Sequence, residues 1–120
     1  MREIIATHGI EVGFIVEVRF VKGDDIWLSP AFGRDSCYIG ALQYKNLPHE
    51  DYFREVEALM ATFDGRPHWG KVHHLSADRL AAIYPRFGDF CAARERFDPD
   101  DLFLNDELRR IFGVPSGASS

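Results

Sequence analysis

Apolar and polar positions alternate with a period of two near the start of the chain, then switch to a period of three to four. Over residues 11–22, Val12, Phe14, Val16, Val18 and Phe20 alternate with Gly13, Ile15, Glu17, Arg19 and Val21. That pattern predicts a β-strand with one wholly apolar face. Lys22-Gly23-Asp24-Asp25 reads as a turn, Ile26-Trp27-Leu28 as a second short strand stopped by Ser29-Pro30, and Ser36 to Lys45 as a third. Three strands at this spacing predict an antiparallel sheet.

From Tyr52 onward the apolar positions follow a helical stripe: Tyr52, Phe53, Val56, Leu59, Met60 and Phe63. Pro48 precedes it, Glu50 and Asp51 load its first turn, and Gly65 follows its end. Ser76 is placed to cap a second helix, with Leu75 and Leu80 as a hydrophobic staple and Pro85 as its stop. A third helix is expected over residues 87–96, then a turn at Asp98-Pro99-Asp100-Asp101 and a short apolar run, Leu102-Phe103-Leu104. A last helix, capped by Asn105, carries Leu108, Ile111 and Phe112 and ends at Gly113. Strands first and helices after predict an α+β fold, an antiparallel sheet covered by helices on one side. Residues 114–120 read as a flexible tail.

Composition narrows the picture. The chain has 120 residues, one domain's worth, and 46% hydrophobic content argues against global disorder. A net charge of −5 with no basic run argues against a nucleic-acid partner. Cys37 and Cys91 read most simply as small buried hydrophobes in a reducing compartment, with a disulfide as the lesser alternative, and no signal peptide or membrane-length apolar run is visible, so a cytoplasmic protein is expected.

Candidate chemistry concentrates in two places. Glu17 and Arg19 fall on the same strand face, their bases roughly 6.6 Å apart at about 3.3 Å per residue. They read either as a surface ion pair or, among the small and apolar Gly13, Ile15 and Val21, as part of a site. The second place is Gly65-Arg66-Pro67-His68-Trp69-Gly70-Lys71-Val72-His73. Gly and Pro make it a poor helix and a poor strand, while its large side chains make it a poor linker. It is expected to be a tight loop that aims Trp69 and Lys71. His68, His73 and His74 lack metal-ligand spacing, so no metal is expected. No nucleotide-binding or hydrolase motif is present.

The loop, with Tyr84-Pro85-Arg86-Phe87, Asp89-Phe90, Arg94 through Phe97-Asp98-Pro99 and Phe103-Leu104-Asn105, resembles the C-terminal signature of FAD-dependent sugar-lactone oxidases. That group includes D-arabinono-1,4-lactone oxidase, L-gulonolactone oxidase and the alditol oxidases. Glu17-Val18-Arg19 and the stretch from Asp24 to Pro30 resemble the same proteins, so the likeness spans residues 11–113. It implies a vanillyl-alcohol-oxidase-type substrate domain and oxidation of a sugar lactone or polyol hydroxyl by hydride transfer to flavin. It also implies Glu17, Arg19 and Lys71 as catalytic residues, with His68, Trp69, Gly40 and Leu42 facing substrate or flavin.

The resemblance carries two departures. Alditol oxidases offer a His and a Thr to the polyol where this chain has Gly40 and Leu42, which tilts the reading toward a lactone. The flavin-binding half of such proteins is missing, so residues 1–113 are expected to be a substrate-binding domain that works with a separate flavin-binding domain or subunit. The resemblance also allows peripheral membrane association. The competing reading is a non-catalytic remnant or interaction module that keeps the fold alone.

Overall fold

A computed structural model describes residues 5–7, 9 and 12–115. Residue 11, the first of the expected strand, and residues 116–120 of the expected tail lie outside the described residues. The chain is α+β. Strand β1 (Val16–Val21) pairs antiparallel with β2 (Ser36–Ala41), in a register that sets Val16 opposite Ala41, Glu17 opposite Gly40 and Arg19 opposite Tyr38. Helices α1 (Glu50–Ala61), α2 (Ala77–Ile83), α3 (Phe87–Phe97) and α4 (Asp106–Phe112) follow.

Among the described residues the sheet has two strands where the sequence pattern predicts three. Residues Ile26–Leu28 belong to a turn instead, because Asp24 supplies hydrogen bonds a ladder would otherwise have to provide. Its carboxylate accepts from the Ile26 N–H (3.1 Å) and the Ser29 hydroxyl (2.6 Å), and the Ser29 N–H closes onto the Ile26 carbonyl (2.9 Å). Both strands are also shorter than predicted. Past β2 the Gln43 side chain takes over, its amide oxygen accepting from the N–H groups of Gly13 (2.9 Å) and Tyr44 (3.2 Å).

The helix boundaries follow the capping signals. Ser76 accepts from the Arg79 N–H, and Asn105 from the Leu108 N–H (2.8 Å). Gly113 closes α4 in the left-handed conformation, φ 67°. Helix α1 stops before Phe63, which is exposed rather than part of the buried stripe. The chain turns there through Asp64 (φ 53°), and the Gly65 N–H bonds to the Met60 carbonyl (2.9 Å). A side chain at residue 65 would start 2.7 Å from that carbonyl oxygen, so the turn requires glycine.

Leu80, Tyr84, Phe87 and Ile111 form the core, with Leu28, Trp69, Leu75, Ile83, Cys91 and Phe112 packed around it. The core therefore joins α2, α3 and α4 to the loop before α2 and to the turn after β1. The sheet itself is open. Opposed residues share a face, so Val16, Val18 and Phe20 lie with Ala41, Ile39 and Cys37 on an apolar side. Phe20 on that side is 86% exposed.

Candidate active site

The other side of the sheet carries the polar residues. Glu17, Arg19 and Val21 share it with Gly40, Tyr38 and Ser36. Arg19 donates to the Glu17 carboxylate in a close ion pair, with side chains 67% and 41% exposed. The alternation in the sequence thus brings the two together as expected. Gly40 lies directly across from Glu17, and a Cβ at residue 40 would sit 3.5 Å from Glu17 Cβ and 3.6 Å from its carboxylate. The missing side chain leaves the carboxylate approachable from that strand. Leu42 falls just past the end of β2 and is half-buried.

The loop over residues 65–73 is held mainly through backbone carbonyls. Arg66 donates to the carbonyls of Ile83 (2.8 Å), Phe32 (2.9 Å) and Pro30 (3.3 Å), which ties the end of α2 to the turn between the strands. Its guanidinium lies 5.4 Å from the centre of the Tyr84 ring, and burial, with the Arg34 charge second, lowers its pKa. The Tyr84 hydroxyl donates to the Pro67 carbonyl (2.8 Å), and burial pushes that phenol well above its usual pKa. Trp69 donates from Nε1 to the Leu28 carbonyl (2.6 Å) and packs its ring 4.8 Å from that of Tyr84.

Those contacts fix the next residues. His68 Nδ1 accepts from the Gly70 N–H (3.0 Å), and the Lys71 N–H reaches the His68 carbonyl (3.0 Å). Lys71 emerges from this turn exposed. Among the described residues no hydrogen bond or ion pair joins Lys71 to Glu17 or Arg19. The site residues therefore form two groups: Glu17, Arg19 and Gly40 on the sheet, and His68, Trp69 and Lys71 on the loop.

Sequence reasoning gave no role of their own to Arg66 and Tyr38, and weighed His73 only as a metal ligand. Arg66 stands between a glycine and a proline that draw attention to the turn rather than to the side chain. Tyr38 lies opposite Arg19 on the polar side of the sheet. Only the strand register reveals this, and the register depends on the length of the intervening turn. Among the described residues no group of three His, Cys, Asp or Glu side chains is placed to hold a metal ion, and no helix is long and apolar enough to cross a membrane.

The polar residues thus stand in two places, a carboxylate–guanidinium pair on an open sheet face and a lysine on a loop anchored through backbone carbonyls. Comparison with known proteins gives the chain's relationship. Residues 1–111 match the family model described as D-arabinono-1,4-lactone oxidase. The chain is 46% identical over 111 residues to L-gulono-1,4-lactone dehydrogenase of Mycobacterium tuberculosis (strain ATCC 25618 / H37Rv), covering 92% of this chain and 26% of the relative. It is 46% identical over 101 residues to L-gulonolactone oxidase of Mus musculus, covering 81% and 23%. To alditol oxidase of Streptomyces sp. (strain IKD472 / FERM P-14339) it is 42% identical over 99 residues, covering 79% and 23%. The chain belongs to the D-arabinono-1,4-lactone oxidase family. It spans about a quarter of the length of these three relatives.

Proposed function

We propose that this chain forms the substrate-side wall of an FAD-dependent oxidoreductase that oxidises a hydroxyl group of a sugar lactone, or of a related polyol. A flavin-binding domain or subunit completes it. The observation that carries the reading is the Glu17–Arg19 ion pair on the open polar face, opposite Gly40, in a chain so similar to lactone dehydrogenases and oxidases.

The residues present fit one side of a flavin and not the whole cofactor. Arg19 and Lys71 are exposed cations, and Gly40 leaves clearance beside Glu17. The sequence has no glycine-rich loop of the kind that cradles a diphosphate, so that contact falls to the partner domain. When bound, the flavin supplies the hydride acceptor. Arg19 stabilises negative charge developing on the substrate oxygen, and Lys71 adds a second cation where the partner brings loop and sheet to one substrate. Glu17 orients the Arg19 guanidinium and accepts the hydroxyl proton. Trp69 and His68 hold the loop in the shape that presents Lys71.

The test is a chimera in which this chain replaces the matched segment of the Mycobacterium tuberculosis dehydrogenase. A yellow protein that oxidises L-gulono-1,4-lactone supports the reading. A folded, yellow chimera with no activity toward lactones or polyols contradicts it and favours a non-catalytic module.

A further inference from the structure

Two adjacent histidines with unlike surroundings close the loop that carries Lys71. His74 faces carboxylates: its Nε2 lies 3.2 Å from Glu50 and its Nδ1 3.8 Å from Glu57, both on α1. Its backbone N–H also donates to Glu57 (2.8 Å). His73 is buried, 6% exposed, and neither ring nitrogen has a hydrogen-bond partner. Its ring meets Trp69 edge-on, with centres 6.2 Å apart. Its carbonyl accepts from Arg110 (3.3 Å), which also reaches the Leu75 carbonyl (2.7 Å) and pairs with Glu107 on α4. The charged and titratable groups around the imidazole are Arg110 and Glu107 from α4, Glu57 from α1, and the neighbouring His74.

We propose that residues 70–74 form a pH-released latch: His73 seats beside Trp69 and Arg110 only as the neutral imidazole, and its protonation frees the segment, with Lys71 on it, from α4. A neutral imidazole without partners already sits uncomfortably in a buried site, and a charged one costs far more there. Burial, with the Arg110 guanidinium second, lowers the His73 pKa, and the carboxylates of Glu107 and Glu57 offset this only in part. Because the folded value lies below the ordinary one of about 6.5, the unfolded or released segment binds the proton more readily. The stability this seat contributes is complete above about pH 6.5 and is lost as pH falls through the folded value. This inference stands apart from the proposed catalytic role, since its readout is the position of a loop and not turnover.

The test follows Trp69 emission in the full chain, in a Trp27→Phe background, from about pH 8 to about pH 5. The expected result is a reversible red shift with its midpoint below about pH 6.5, abolished by His73→Phe. Arg110→Gln, which eases a proton on the seated imidazole, is expected to move the midpoint to lower pH, and Glu57→Gln to move it to higher pH. Should His73→Phe fail to fold, these two opposite shifts decide the matter. Emission that stays constant over the range, a transition that survives His73→Phe, or a midpoint unmoved by both charge variants overturns the proposal.

Discussion

Glu17 and Arg19, two positions apart on β1, close an ion pair on the sheet face where residue 40 has no side chain. Both side chains are largely in water, and pairs of that kind contribute about 0–1 kcal/mol to stability. Arg19→Met and Glu17→Gln are therefore expected to lower the melting temperature of the chain by no more than a few degrees, measured by scanning calorimetry. A loss as large as that of the core truncation Leu80→Ala would mark the pair as structural instead.

Gly40 sets the room in front of Glu17. A Cβ at that position meets Glu17 only at ordinary contact distance, 3.5 Å and 3.6 Å, so it fits there without displacing Glu17. In the active chimera, Gly40→His combined with Leu42→Thr is expected to raise kcat/KM for a polyol relative to a lactone, because it supplies hydrogen-bonding partners for extra hydroxyl groups. An unchanged ratio in a fully active variant would show that selectivity lies outside β2.

Arg66 is expected to matter for folding rather than for chemistry. Its guanidinium serves three backbone carbonyls on two separate segments, and hydrogen bonds from a charged donor contribute about 1.5–3 kcal/mol each at most. Arg66→Ala should cost about 3 kcal/mol or more in a denaturant titration. Arg66→Lys should recover only part of that, since an ammonium cannot span the same fork. A near-neutral Arg66→Ala would mean that water replaces these bonds without loss.

What the sequence made legible was local. Ser76, Asn105 and Gly113 marked helix ends because a cap acts on its own neighbours, and the structure bears out each of them. The parity of Glu17 and Arg19 was equally readable, being fixed by one strand's pleat. Ile26–Leu28 was misread as a strand because three apolar residues satisfy a periodicity, while the decisive hydrogen bonds belong to Asp24 and Ser29 beside them. Phe63 was misread for a similar reason, since the stripe continues past the point where Gly65 has turned the chain back to Met60. The loop was legible as one that aims Trp69, but not that its indole is tied to the Leu28 carbonyl, 41 residues away in sequence. No pattern along the chain encodes that contact.

Under the proposed function, this chain brings Glu17, Arg19 and Lys71 to a flavin held by another domain or subunit. The most direct measurement is anaerobic flavin reduction in the chimera on mixing with L-gulono-1,4-lactone, followed by the loss of the yellow absorbance. Bleaching is expected to be rapid with the native segment and slowed by about 100-fold or more in Arg19→Met and in Lys71→Met, with melting temperatures little changed. Equal bleaching rates in the native and both substituted chimeras would contradict that role.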